Sequence, residues 1–157
     1  MATIVRTRAI PAPPDAVWAT LADFAAISAW APNVDHSCLL SEQTEGVGTV
    51  RRIQTGRTTV VETVETYEPG RTLGYRITGL PPVVRTVTNT WVLAPAAGGT
   101  TATLTTEIDT GPRPPQKVAA RVVGRVMGKA SDQMLDGLAA HHAAAHHAAV
   151  DDAKDTA

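Results

Sequence analysis

The last third of the chain carries a pattern that needs an apolar partner. After Gly111-Pro112-Arg113-Pro114-Pro115 there is no further proline, and ten alanines fall within 118–149. Alanine is the best helix former, so one long helix is expected from about Pro114 to Ala145. On a helical wheel, Ala119, Val123, Val126, Met127, Ala130, Met134 and Leu138 share one face. Lys117, Arg121, Arg125, Lys129, Asp132 and Asp136 share the other. A helix of this kind must lie on something apolar. From about Val150 the residues read as a short polar tail, which gives one domain over 1–149 and a flexible end over 150–157.

The middle of the chain supplies the surface. Eighteen of the 22 threonines lie between Thr44 and Thr110. Threonine is β-branched and suits a half-exposed sheet. Strands are expected at Thr3 to Ile10 and near 34–42, 49–54, 58–68, 72–79, 84–93 and 100–109. Their breaks carry turn residues, among them Thr55-Gly56, Pro69-Gly70 and Pro81-Pro82. Between the first strand and the rest stand two short helices. One opens at Pro14, with Val17, Trp18 and Leu21 at helical spacing, and the other covers about Phe24 to Trp30, ahead of Pro32. An antiparallel meander with one buried face, covered by one long helix, satisfies both patterns: an α+β architecture.

Composition narrows the function classes. The 157 residues make one domain, and a net charge of -1 without like-charge runs argues against nucleic acid as partner. The single cysteine, Cys38, excludes an internal disulfide and fits a reducing compartment. Nowhere do about eighteen apolar residues run together, so no membrane span is expected, and the opening MATIVRTRAI lacks a secretory h-region. A cytoplasmic protein is expected. His142 and His146 stand at metal-ligand spacing, but no third ligand is in view, so no metal is expected and no cofactor. On the wheel His141 falls on the apolar side; His142, His146 and His147 read as a solvated helix end. There is no nucleophile elbow, P-loop or dinucleotide fingerprint.

Several stretches at the joints of this arrangement carry a resemblance. They are Ile10-Pro11-Ala12-Pro13-Pro14-Asp15-Ala16-Val17-Trp18, Asp23-Phe24 followed by Trp30-Ala31-Pro32, Gly48 with Arg51, Gly56 with Glu62, and Tyr67-Glu68-Pro69-Gly70-Arg71-Thr72-Leu73-Gly74-Tyr75. In this order they resemble the START/polyketide-cyclase superfamily (SRPBCC), particularly its bacterial polyketide cyclase/dehydrase-like branch, over about residues 2–140. The resemblance implies a helix-grip fold, an antiparallel sheet curved around a long C-terminal helix. It also implies a deep apolar cavity between the two, with no fixed catalytic constellation.

Hairpin arithmetic leads into that cavity independently. With Pro69-Gly70 as loop residues, Glu62 faces Ile77, Val64 faces Tyr75 and Thr66 faces Leu73. Leu73, Tyr75 and Ile77 alternate with Gly74, Arg76 and Thr78, so the first set and Glu62 point inward. With Thr55-Gly56 as the neighbouring loop, Arg51 pairs with Val60 and lies diagonal to Glu62. A slip of one residue would turn Arg52 inward instead. Such a pair is either a structural ion pair or the polar end of a ligand pocket. Asn89 and Trp91 are expected inward from their strand, with Asn89 needing a partner, and Trp30 near a pocket rim. Met127 and Met134 line the helix side.

The candidate ligand-binding residues are therefore Arg51, Glu62, Tyr75, Asn89, Trp91, Trp30, Met127 and Met134. The expected partner is a small hydrophobic molecule (lipid, isoprenoid or polyketide-like), held in the cavity. The alternative is a cyclase or dehydratase acting on an aromatic polyketide intermediate. A third reading is a regulatory module that uses the same groove against a protein, and a homodimer stays open.

Overall fold

Alternation decides the sheet. In Thr86–Ala96, Val87, Asn89, Trp91 and Leu93 are buried while their neighbours are more exposed. In Gly99–Asp109 the buried set is Thr100, Ala102, Leu104, Thr106 and Ile108. That period of two puts one face of each strand on a core and leaves the threonines between them on the other. The computed structural model describes residues 1–156, apart from the side chain of Pro114.

Seven antiparallel strands form one curved sheet. They are β1 (Ala2–Ile10), β2 (His36–Leu39), β3 (Val50–Thr55), β4 (Thr58–Glu68), β5 (Thr72–Thr78), β6 (Thr86–Ala96) and β7 (Gly99–Asp109), in the spatial order β1-β7-β6-β5-β4-β3-β2. Helix α1 (Pro14–Ala22) and a 3-10 helix (Phe24–Ala29) follow β1, and α2 (Pro114–Asp155) closes the chain. This is the helix-grip α+β arrangement that the resemblance implied. The expected strand at 34–42 is shorter, at His36–Leu39. The expected tail is not a tail: α2 continues through Val150 to Asp155, while Ala157 lies outside the described residues. Alanine-rich sequence sustains a helix even where nothing packs on it.

Helix α2 packs on β1 and β7 and adds Met134, Leu135, Leu138 and Ala139 to the core. Arg6–Asp132 (3.1 Å) and Arg8–Asp136 tie it to β1. Both pairs are half-exposed, so they fix register more than they stabilise. Two expectations for this helix are corrected. Val126 is 65% exposed rather than core, because the buried face is centred nearer Ala120, Met127 and Ser131. His142, not His141, is buried; its Nε2 is 3.0 Å from Thr20 Oγ1 on α1. Burial, reinforced by His141, lowers the His142 pKa below 6.5.

Within α2 the closest approach falls at Gly137. A Cβ there would stand 2.3 Å from Trp30 O and 2.5 Å from Pro32 Cδ. At Gly124, in contrast, a Cβ would meet Ile4 Cδ1 at 3.7 Å, an ordinary contact. In an open helix Gly→Ala is stabilising by roughly 0.5–1 kcal/mol. Thermal melts should therefore separate the two sites. Gly124→Ala is expected to raise the midpoint. Gly137→Ala should lower it, through about 1–3 kcal/mol of overpacking.

Candidate functional site

Arg51 and Glu62 meet directly across β3 and β4. Their Cα atoms are ladder partners, with Arg51 opposite Glu62 and Ile53 opposite Val60. The expected diagonal is corrected, because the loop residues are Gly56-Arg57 rather than Thr55-Gly56. Gly56 has φ +59°, which its lack of a Cβ permits at the first loop position of a tight hairpin. The register moves by two residues, an even number, so Arg51 keeps its inward face.

On the other side of β4 the expected two-residue loop is also corrected. Glu68 pairs with Thr72, which leaves Pro69, Gly70 and Arg71 in the loop, and Thr66 faces Gly74 rather than Leu73. A bulge between Val64 and Thr66 then absorbs one residue and restores Glu62 to Ile77 and Val64 to Tyr75. Arg76 points out and meets Glu65, the bulged residue, at 2.8 Å.

The ion pair is almost wholly enclosed. Arg51 is 2% exposed and Glu62 5%. Arg51 Nε and Nη2 both lie 2.6 Å from Glu62 Oε2, and Nη1 donates to Phe24 O at 2.9 Å. The guanidinium carbon stands 3.6 Å from the Phe24 ring centroid and 4.9 Å from that of Tyr75. Both rings present their electron-rich faces to a desolvated cation. Burial raises the Glu62 carboxyl above its ordinary range, and Arg51, by charge and hydrogen bond, pulls it back only in part. Glu62 Oε1 has no hydrogen-bond partner among the described residues.

A polar chain runs beside the pair. Thr106 Oγ1 donates to Asn89 Oδ1 (2.7 Å) and lies 3.3 Å from Ser131 Oγ on α2. Asn89 Nδ2 (3.4 Å) and Trp91 Nε1 (3.3 Å) donate weakly to Tyr75 Oη. Burial, then the Glu62 charge, raises the Tyr75 phenol above its usual pKa. Thr106 and Ser131 were not read from sequence. Ordinary alternation placed Thr106 inward, but nothing marked it as the partner that Asn89 required.

Between this wall and α2 lies a cavity of about 220 Å³. Ile27, Ile53, Val60, Ile77, Met127 and Met134 form its apolar walls, and Asn33, Glu62 and Asn89 are polar points on it. Thr55, Thr58 and Val126 line it and are exposed, so they flank its mouth. Asn33 Oδ1 is buried without a hydrogen-bond partner among the described residues. Of the expected site residues, Glu62, Asn89, Met127 and Met134 line the cavity. Arg51, Tyr75 and Trp91 stand behind its lining. Trp30 does not line this cavity; it packs edge to face on Trp91 at 6.0 Å and lines instead two open clefts beside His141. Among the described residues no three His, Cys, Asp or Glu side chains cluster as a metal site. No helix among them is long and apolar enough to cross a membrane.

A family model described as polyketide cyclase / dehydrase and lipid transport matches residues 1–143. Among solved structures, the Zhui aromatase/cyclase from Streptomyces sp. R1128 is similar over 90% of this chain and 93% of its own. It is 20% identical, with a TM-score of 0.73. TTHA0849 from Thermus thermophilus is 21% identical over 92% of this chain and 99% of its own, with a TM-score of 0.73. The di-domain ARO/CYC StfQ from the steffimycin biosynthetic pathway is 15% identical, with a TM-score of 0.77, over 92% of this chain and 51% of its own. At these identities the likeness is one of fold. No curated protein matches the sequence.

The ion pair generates a clear expectation. Arg51→Met strands a buried carboxylate and should destabilise by about 3–5 kcal/mol at neutral pH, whereas Arg51→Met/Glu62→Met should be near neutral. In the single variant the folded Glu62 pKa lies above its ordinary 4.5. The contribution of Glu62 to stability is then present below 4.5 and lost as pH rises through the folded value. Denaturant midpoints from acid to neutral pH check this: the deficit of Arg51→Met should shrink on acidification, whereas the double variant, which lacks Glu62, should fall behind the parent, whose own raised Glu62 pKa favours the folded state at acid pH.

Proposed function

The chain belongs to the polyketide cyclase/dehydrase and lipid transport family, and on that premise we propose that it binds a small, mostly apolar molecule carrying one hydroxyl or enol group. The observation that carries this is an apolar cavity whose inner wall presents Glu62, with Oε2 committed to Arg51 and Oε1 unpartnered among the described residues. A ligand hydroxyl would donate to Oε1. Asn89, whose carbonyl is engaged by Thr106, would offer an N–H to the same ligand's oxygen. A few polar points on an apolar wall are what orient a ligand in such sites.

Volume limits the size of the guest. An engineered apolar cavity of about 150 Å³ takes one benzene, and drug-sized sites start near ~300 Å³. A cavity of about 220 Å³ suits one substituted ring or two fused rings. That favours a compact ring system over an extended lipid chain.

A second reading, cyclase or dehydratase, is favoured by one feature, the desolvated carboxyl of Glu62 with its raised pKa. A carboxyl tuned toward neutrality suits proton transfer. Incubation with a linear poly-β-keto thioester separates the readings. Loss of water that disappears in Arg51→Met/Glu62→Met supports the enzyme, and an unchanged substrate supports the carrier.

The binding test compares 2-naphthol with naphthalene by calorimetry. The hydroxyl should tighten binding about tenfold or more, since a hydrogen bond to a charged group is worth ~1.5–3 kcal/mol. Arg51→Met/Glu62→Met should abolish that preference. Ala130→Leu, which extends a side chain into the cavity, should weaken both ligands, while Ala140→Leu on the exposed face should not. Equal affinity for the two probes would refute the role given to Glu62.

A further inference from the structure

We propose that the outward side of the first half of α2 is a docking surface for an anionic lipid bilayer, set so that the cavity mouth meets the bilayer. Val118, Val122 and Val126 stand four residues apart and are 61%, 57% and 65% exposed. That spacing aligns them in one row on the helix. Beside them runs a second exposed row, Lys117, Arg121, Arg125 and Lys129. From Arg113 to Lys129 there are five basic side chains and no acidic one, in a chain whose net charge is -1. The positive charge is therefore gathered here and offset elsewhere.

An apolar row beside a basic row is the pattern of a helix that lies in a membrane interface. The valines enter the headgroup boundary, and the cations meet anionic phosphates. Val126 belongs to both features, since it stands in the row and lines the cavity. A molecule leaving the bilayer beside it would reach the cavity without crossing water. Arg57, exposed between the cavity-lining Thr55 and Thr58, adds a cation at the mouth. Two neighbouring carboxylates are already engaged: Asp35 accepts the Gly56 N–H (2.7 Å) and Asp109 the Gly111 N–H (2.9 Å).

Other occupants fit less well. A second copy docked by two-fold symmetry would set five positive charges against five. A protein partner would have to set apolar side chains against the valine row and acidic ones against the basic row, whereas an anionic bilayer presents both at once. The proposal does not depend on which ligand the cavity takes.

Flotation of the full chain with phosphatidylcholine vesicles, with and without phosphatidylserine, reads the partition directly. Binding is expected only with phosphatidylserine, and it should weaken as salt rises. Arg121→Gln/Arg125→Gln should lower the partition on the order of thirty-fold, from about fivefold per cation removed. Val118→Ser/Val122→Ser should lower it severalfold at an unchanged thermal midpoint, because both residues are exposed. Equal binding to the two vesicle types, no binding to either, or parent-like binding by either variant overturns the proposal. Self-association abolished by the valine changes would overturn it in favour of a second copy. Binding to polyglutamate but not to vesicles would overturn it in favour of an acidic protein.

Discussion

A cation buried in the core of a small domain dictates what surrounds it. Arg51 is 2% exposed, and the transfer of an isolated charge from water would be prohibitive. Its nitrogens are answered by Glu62 Oε2 and by the Phe24 carbonyl, and its plane is covered by Phe24 and Tyr75. These partners come from β4, β5 and the 3-10 helix, so one guanidinium on β3 ties four elements together. The short helix has few other obligations: Ser37 Oγ donates to Ala25 O, and Ile27 joins the core. Buried pairs of this kind are weak evidence for stability. Here the pair fixes where the 3-10 helix docks, and that helix supplies Ile27 to the cavity wall.

The cavity is what remains once α2 has settled on β1 and β7. Gly128 lets the helix approach Arg6, and Gly137 lets it pass under the Trp30 carbonyl. Close contact along that side leaves the β3–β5 side of the concave face less tightly covered. Met127, Ala130 and Met134 then face Ile53, Val60 and Ile77 across open space. Small residues on one side of the helix and flexible ones on the other thus divide packing from binding. Ser131, through Thr106 and Asn89, joins the helix to the polar wall, so any shift of α2 would be felt at Asn89.

Most of this was legible because strands have a period of two. Errors of even size do no harm: the β3–β4 register moved by two residues, and Arg51, not Arg52, still faced inward. In the β4–β5 hairpin two local departures cancelled. The loop holds one residue more than Pro69-Gly70, and the bulge at Glu65 removes the offset before Glu62. Nothing in Val64-Glu65-Thr66 announces a bulge, since Glu65 is as polar as any outward residue. Helix faces were read less sharply. A wheel averaged over the whole of α2 placed Val126 inside and His142 outside. The real contact line is set by where α2 meets β1 and α1, and local periodicity carries no record of that. The hydrogen bond between Thr20 and His142, spanning 122 positions, is invisible for the same reason.

The central claim is that Glu62 stands desolvated at the cavity wall with one oxygen free to meet a ligand. Carbon-13 NMR of the Glu62 side-chain carboxyl, followed through a pH titration with and without 2-naphthol, tests it most directly. The account predicts a carboxyl that titrates above the ordinary range in the free protein and whose resonance moves when the naphthol binds. A carboxyl that titrates at its usual value and ignores the ligand would contradict it.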